Sequence, residues 1–279
     1  MLYSHDTFGL GHLRRSRALA GAITSADPAA SALILTGSPV AGRFAFPSRV
    51  DHMRLPGVIK RSDGSYASRT MGMSIEETTD LRSGLIRSMA EQYDPDVLIV
   101  DKEPTGFRGE LLPALDLLSQ RGRARLVLGL RDVLDEPEVL AAEWDRKEAI
   151  AATEKYYDEI WVYGLRSIYD PTQGLALSEA AQSRMHWTGY LRRDLGRLDE
   201  PPEQPYVLIT PGGGGDGACG HRDSWGLPFF TTFARGPHGS VRYPPASHRP
   251  PGASAHVPAP VPPPASVPPG RVPHRGTRR

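Results

Sequence analysis

A histidine and an aspartate are the residues in this sequence whose types and positions best suit proton transfer. His12 ends the motif GLGH, which follows a short apolar segment and opens a helical pattern. Asp101 follows the continuously apolar segment VLIV. A carboxylate beside an imidazole fixes the tautomer and stabilises the charged form, which makes a usable general base near neutral pH. The alternative is that Asp101 caps the next helix or pairs with Lys102 or Arg131.

The elements that must position these two residues alternate between strands and helices. This alternation predicts an α/β fold with a doubly wound, Rossmann-like parallel sheet. In such a sheet the strand order reverses between the first and fourth strands, and ligands bind outside the carboxyl ends there. His12 follows the first strand and Asp101 ends the fourth, so both are expected to face one crevice. Strands are predicted near residues 2–4, 32–36, 52–55, 97–100, 125–130 and 159–163.

Helical periods and turn signals fill the intervals between these strands. Ser74 and Glu77 form a capping-box pattern, which predicts a helix start. The polar segment Lys60 to Met73 before it predicts a mobile surface loop. The segment HWTGYL, from His186 to Leu191, is interpreted as a crossing segment out of the first domain. Helices are predicted near residues 12–23, 74–92, 107–120 and 137–155.

The helix that follows the first strand supplies further candidates for acceptor binding. Gly9 and Gly11 let the backbone approach a ligand, and a helix start favours an anion. A tight turn with a packed histidine explains the same glycines. Because Arg14 occupies the third glycine position, the motif is not the dinucleotide-binding fingerprint. Arg14 could reach an anionic acceptor, although a solvated helix face is the expected setting for at least two of Arg14, Arg15 and Arg17.

The loops after the fourth and fifth strands add more acceptor-binding candidates. Glu103, Thr105 and Gly106 could bind a sugar hydroxyl or a phosphate. Arg131 and Asp132 occupy the corresponding loop after the fifth strand. An ordinary ion pair at the sheet end is the favoured interpretation of these last two residues.

A second glycine-rich loop follows the apolar segment YVLIT. A strand followed by such a loop is typical of a phosphate site, because free backbone N–H groups can bind the anion. A flexible linker is the alternative interpretation. The donor-diphosphate candidates are Gly212, Gly213, Gly214, Gly215 and Asp216.

The composition of the chain changes at Cys219. From there to Arg279 it holds 14 of the 27 prolines, eight arginines, no lysine and a single acidic residue. With almost no large aliphatic side chains, this tail cannot bury enough apolar area to offset its ordering entropy, so disorder is predicted. Translation of a GC-rich gene in the wrong frame would give this composition, and a frameshift is the hypothesis. The predicted regions are a first domain (1–190), a linker with the first strand and loop of a second domain (191–218), and the tail (219–279).

Charge and cysteine content narrow the classes of function. The residues before Cys219 include 25 basic and 31 acidic side chains, so nucleic acid is not an expected partner. The single cysteine excludes an internal disulfide framework and a thiolate metal cluster, and it suits a reducing cytoplasm. No apolar run approaches the roughly 20 residues of a membrane span, and a secretory leader is not expected. A cytoplasmic location is expected, and peripheral membrane contact is compatible with it.

Four segments, in this order, resemble the GT-B glycosyltransferases. The resemblance is closest to the bacterial group related to the transferase that adds N-acetylglucosamine to the lipid-linked peptidoglycan precursor. It covers roughly residues 1 to 218. The segments are GLGHLRRSRALA from Gly9, DVLIVDKEP from Asp96, WTGYLRR from Trp187 and YVLITPGGGGDG from Tyr206.

The resemblance implies two Rossmann-like domains that face each other across a cleft. The acceptor would bind the N-terminal domain, and a nucleotide-sugar, expected to be a UDP-sugar, the C-terminal one. Neither a metal nor a cofactor is implied. His12 would deprotonate the acceptor hydroxyl with Asp101 as its support, and the glycine loop would contact the donor diphosphate. Because the donor domain would stop after one strand and a loop, this chain is expected to be inactive or impaired.

Other functions are compatible with the same residues. A nucleotide-sugar 2-epimerase uses the same two-domain fold, although the GLGHLRR start argues against it. A non-catalytic domain that binds an acceptor or partner suits a chain with an incomplete donor site. The basic, proline-rich tail could also bind a partner or nucleic acid. The donor sugar, the acceptor and the oligomeric state are left open.

Overall fold

The computed structural model describes residues 1–5, 10–61 and 63–192 of the 279-residue chain. Its strands are β1 (Leu2–Ser4), β2 (Ala32–Thr36), β3 (Val50–Arg54), β4 (Val58–Lys60), β5 (Tyr66–Ser68), β6 (Val97–Asp101), β7 (Arg125–Arg131), β8 (Glu159–Tyr163) and β9 (Met185–Trp187). Its α-helices are α1 (Gly11–Ala26), α2 (Ile75–Tyr93), α3 (Leu112–Arg121), α4 (Pro137–Arg146), α5 (Ala149–Tyr156) and α6 (Glu179–Ser183).

Seven of the strands form one parallel sheet in the order β3-β2-β1-β6-β7-β8-β9. The first strand of the chain therefore lies between β2 and β6, and the strand order reverses there. This arrangement confirms the predicted α/β parallel sheet and is compatible with a Rossmann-like fold. All six predicted strands are present, and β3 begins two residues earlier than expected because Val50 also pairs with β2.

Each face of the sheet carries its own apolar cluster, because alternate residues of a strand point to opposite faces. On one face, Ile34, Ile99 and Val127 pack with Leu13 of α1. The opposite face packs against α2 and α3 through side chains that include Leu98, Val100, Leu128, Ile86 and Leu115. Burial of each such side chain contributes about 1.5–3 kcal/mol. Since Asp101 comes two residues after Ile99, its side chain lies on the α1 face.

The segment predicted as a mobile loop contains part of a hairpin. Its residues 66–68 form β5, which pairs antiparallel with β4 and brings Ile59 opposite Ala67. Gly64 has φ +83°, a conformation that suits the turn of the hairpin. The prediction is wrong here because a strand of only three residues leaves little pattern in a polar segment.

Two other elements differ from their sequence predictions. The helix predicted near residues 137–155 is divided into α4 and α5, because Glu148 between them adopts a left-handed conformation with φ +52°. The interpretation of HWTGYL as a crossing segment is wrong for its first residues, which form β9 and pair in parallel with β8. The predicted capping box is confirmed, since Ser74 and Glu77 bond reciprocally at the start of α2.

Several predictions fall outside the described residues. These are the linker beyond residue 192, the strand at Tyr206 to Thr210, the glycine loop and the tail from Cys219. Within the described ranges, no helix combines the length and the apolar character that crossing a membrane requires.

Candidate functional site

His12 and Asp101 meet at the carboxyl end of the sheet, where β1 and β6 are neighbours. His12 is the second residue of α1, and Asp101 is the last residue of β6. The Nδ1 atom of His12 lies 2.8 Å from Oδ2 of Asp101. The side chain of Asp101 is 4% exposed and that of His12 is 16% exposed. The predicted proximity is confirmed, and the catalytic roles of the two residues remain predictions.

The short distance between His12 and Asp101 determines the imidazole tautomer. An unprotonated Nδ1 and a carboxylate oxygen both present lone pairs, so a separation of 2.8 Å requires a proton between them. Arg15 Nη2 also lies 2.9 Å from Nδ1. A hydrogen bond from Arg15 to Nδ1 would leave Nδ1 and Asp101 in repulsive contact. We therefore assign a proton to Nδ1, so that the neutral form of the ring carries its lone pair on Nε2.

Arg15 is a member of this site, although the sequence analysis expected at least two of Arg14, Arg15 and Arg17 to lie on a solvated helix face. Its Nε atom donates to Asp101 Oδ1 and its Nη2 atom to Oδ2, each at 3.0 Å. Burial alone would raise the pKa of Asp101, but the hydrogen bonds and charges of His12 and Arg15 hold that pKa below its ordinary value. The i, i+3 spacing of His12 and Arg15 was the available signal, because such residues share a helix face.

A second histidine, also missed in the sequence analysis, lies next to His12. His5 follows β1, and its ring centroid is 5.7 Å from that of His12 in an edge-to-face arrangement. Burial lowers the pKa of His5 well below its ordinary value, and the positive charges of Lys102, of Lys147 and of His12 in its protonated form lower it further. His5 is therefore neutral at neutral pH and adds no charge to the site.

Polar atoms without hydrogen-bond partners are concentrated at the same edge of the sheet. Nearly all buried polar atoms in folded proteins are paired. In the described part of the chain, eight buried side-chain polar atoms have no partner, and five of these lie at or just after the carboxyl ends of parallel strands. This edge therefore has hydrogen-bonding capacity that the fold does not use. The five atoms are Ser4 Oγ, His5 Nδ1, Ser38 Oγ, Arg131 Nε and Tyr163 Oη.

Tyr163 lies near Asp101, across one intervening strand. Asp101 is in register with Gly129 of β7, and the Tyr163 ring from β8 covers Gly129 so closely that an added Cβ would overlap the phenol oxygen. Burial raises the pKa of Tyr163 far above its ordinary value, and the charge of Asp101 raises it further. The hydroxyl thus stays protonated. Gly129 was the sequence signal, since a glycine within a strand marks a close approach.

Glu103 lies in the loop after β6, where lysines surround its carboxylate. Lys147 Nζ donates to Glu103 Oε2 at 2.8 Å, and Lys102 Nζ lies 3.6 Å from Oε1. Lys147 also bonds to Glu143 of α4. Burial would lower the pKa of Lys147, but the nearby carboxylates raise it above the ordinary value. Glu103 therefore joins this loop to α4, and its role in acceptor binding remains a prediction.

A buried polar network anchors the far end of the same loop. Tyr3 Oη donates to Glu110 Oε1 at 2.7 Å and accepts the Phe107 N–H at 3.1 Å. Arg82 of α2 donates to both carboxylate oxygens of Glu110, each at 2.6 Å. Gly106 has φ +71°, and an added Cβ would lie 2.8 Å from the Leu111 side chain. The loop that follows Asp101 is thus held rigidly, and the sequence analysis did not detect this network.

The remaining acceptor-binding candidates are more dispersed. Gly11 and Arg14 are exposed in the first turn of α1, and Thr105 is buried in the loop after β6. Arg131 Nη2 donates to the Leu134 carbonyl at 2.9 Å. The ion pair expected between Arg131 and Asp132 is wrong, because none forms between them in the described structure.

The predicted solvated arginine face on α1 is also wrong. Arg15 binds Asp101, and the Arg17 guanidinium lies over the Phe44 ring at 5.1 Å and bonds to the Ala45 carbonyl. Of the glycine candidates, Gly9 and the loop Gly212–Gly215 with Asp216 lie outside the described residues.

The arrangement can accept a proton at His12 Nε2 while Asp101 and Arg15 hold the other side of the ring. Among the residues that the structure describes, no group of three or more histidine, cysteine, aspartate or glutamate side chains is placed to hold a metal ion. A comparison with protein-family models gives no match for the chain, and a comparison with curated proteins gives none either.

Proposed function

We propose that this chain derives from a GT-B glycosyltransferase that moves a sugar from a nucleotide-sugar, expected to be a UDP-sugar, to an acceptor hydroxyl. In this proposal the described domain binds the acceptor. The observation that carries the proposal is the contact of His12 Nδ1 with Asp101 at 2.8 Å, at the point where the strand order reverses. Ligands of doubly wound sheets bind at such points.

His12 would act as the general base of the transfer. As the acceptor oxygen attacks the anomeric carbon, its proton passes to His12 Nε2. The bond between that carbon and the donor diphosphate breaks, and the electron pair leaves with the diphosphate. Asp101, held ionised by Arg15, stabilises the imidazolium that forms. Direct displacement of this kind inverts the anomeric centre.

The test is a transfer assay on two proteins. One is the 279-residue chain as given, and the other is a chain whose coding frame past Cys219 is restored from the DNA. A panel of nucleotide-sugars is supplied, and release of the nucleoside diphosphate is measured. We expect little or no release by the printed chain and clear release by the restored chain. In the restored chain, His12→Ala should lower turnover by about 100-fold or more, which is the usual contribution of a general base.

His186→Ala is the matched control, because His186 is an exposed histidine on β9. It should retain turnover. Unchanged turnover in His12→Ala would remove His12 from the proposed role. Absence of release with every donor by the restored chain would contradict the transferase assignment. If neither alternative frame resumes the alternation of strands and helices, the frameshift hypothesis fails.

A non-catalytic acceptor-binding domain is the second candidate. The unpartnered polar atoms at the carboxyl edge of the sheet favour it, because hydrogen bonding to a bound polar ligand would satisfy them without any reaction. Binding of a hydroxyl-bearing ligand by both chains, with no nucleoside diphosphate release by either, would support this candidate over the transferase.

A further inference from the structure

Arg15 is placed to influence His12 as well as to hold Asp101. It follows His12 by three residues on α1, so the two side chains share a helix face. The Arg15 side chain is 15% exposed and reaches both oxygens of Asp101. Its Nη2 atom lies 2.9 Å from His12 Nδ1. A positive charge therefore lies as close to the imidazole as the negative charge of Asp101 does.

The two charges act on the imidazole in opposite directions. A carboxylate within about 4–6 Å favours the protonated form of a neighbouring base, and a cation disfavours it. Because Asp101 Oδ2 is shared between His12 and Arg15, part of its charge is already neutralised. The hydrogen bond from Nδ1 still fixes the ring, because the two lone pairs of Oδ2 can accept from both His12 and Arg15.

We propose that Arg15 is a positioning residue whose positive charge disfavours the imidazolium form of His12, while Asp101 fixes its tautomer. Without Arg15, Asp101 would favour the imidazolium, and an imidazolium cannot take a proton from an acceptor. Arg15 thus sets the pH range in which Nε2 is available. The inference rests on the proposed role of His12 as a base, but its test observes the imidazole itself.

The other charged or titratable groups near His12 do not replace the effect of the Arg15 charge on the imidazole. His5, at the end of β1, is the ring in edge contact with His12. Lys102 and Lys147 lie near His5, and each is paired with Glu103. Tyr163 of β8 lies near Asp101 but does not bond to it. Arg15 is the cation that contacts both members of the pair.

The test is a pH titration of the His12 ring by NMR in the full printed chain, with the signal assigned by its loss in His12→Gln. Arg15→Met should raise the midpoint of the His12 titration by about one pH unit or more, in the range of single charge effects. Arg15→Lys restores the charge and should bring the midpoint back to within about 0.5 unit of the original chain. Arg14→Met removes an exposed charge from the same helical turn and should shift the midpoint by less than half as much as Arg15→Met.

If Arg15→Met does not fold, Arg15→Gln is measured in its place. Glutamine keeps a hydrogen-bond donor and removes the positive charge. It should raise the midpoint in the same direction. A folded Arg15→Met or Arg15→Gln chain with an unchanged midpoint would overturn the inference and leave Arg15 a purely structural role. A raised midpoint in a chain that never transfers sugar would support the inference and count only against the proposed function.

Discussion

Asp101 is the side chain on which the contacts of the site converge. It is 3% exposed, and an ionised carboxylate at that depth is costly unless other groups pair with it. Arg15 and His12 together supply three contacts to its two oxygens. The buried charge therefore both requires these partners and holds them in place.

Tyr163 offers a test of the unpartnered polar atoms around this carboxylate. Removal of a buried hydroxyl that has no hydrogen bond relieves a desolvation cost. Tyr163→Phe should therefore leave the free energy of unfolding unchanged or raise it by about 1 kcal/mol. The measurement is urea unfolding of the full chain near neutral pH.

Gly129→Ala is the companion variant, because its Cβ would overlap the Tyr163 hydroxyl. It should lower the free energy of unfolding by about 1–3 kcal/mol, as overpacking does. A loss of more than about 1 kcal/mol in Tyr163→Phe would show that the hydroxyl has a stabilising partner, which contradicts our description of this edge.

At the residue scale, side chains at the ends of strands could be predicted from the sequence. Side chains that reach from one secondary-structure element to another could not. His12 and Asp101 could be predicted because strand order places them at one edge. Arg15 and Tyr163 could not be predicted as easily. The direction of an arginine side chain on a helix, and the reach of a ring across a neighbouring strand, depend on three-dimensional packing.

At the scale of elements, a buried ion pair holds the loop after β6 against α2. Arg82 and Glu110 are 2% and 1% exposed. Loss of one partner leaves the other charge buried and unpaired, so Arg82→Met should lower the free energy of unfolding by about 3–5 kcal/mol. Arg82→Met combined with Glu110→Leu should recover most of this loss, and a double-mutant cycle by urea unfolding measures the coupling.

An exposed ion pair between the same two elements is the control. Arg108 donates to Glu76 at 3.0 Å, and both side chains are largely exposed. Arg108→Met should cost less than about 1 kcal/mol, because solvent screens such pairs. Equal losses in Arg82→Met and Arg108→Met would contradict the structural role assigned to the buried pair.

The elements that were predicted correctly share a simple physical signal. Strands such as β6 and β7 have continuously apolar interiors because helices cover both faces of a parallel sheet. The hairpin β4–β5 was missed because each of its strands has only three residues. The break between α4 and α5 was missed because the left-handed Glu148 lies in a sequence with an uninterrupted helical period.

At the scale of the whole molecule, strand order is what joins distant residues into one site. His12 and Asp101 are 89 positions apart in the chain and meet only because β1 and β6 are neighbours in the sheet. The alternation of strands and helices made this order predictable. The identity of the acceptor was not predictable, because the polar groups of the site favour hydroxyls and anions in general. The proposal of a nucleotide-sugar-binding domain is based on the sequence alone.

The tautomer of His12 is the most direct test of the arrangement on which the proposed mechanism depends. The measurement is ¹⁵N NMR of the histidine rings in the full chain, at a pH above the His12 titration, with the signal assigned by His12→Gln. We predict a proton on Nδ1 and a free lone pair on Nε2, because Asp101 lies 2.8 Å from Nδ1. A proton on Nε2 of the neutral ring would contradict the account, since Nε2 could not then accept a proton from an acceptor hydroxyl.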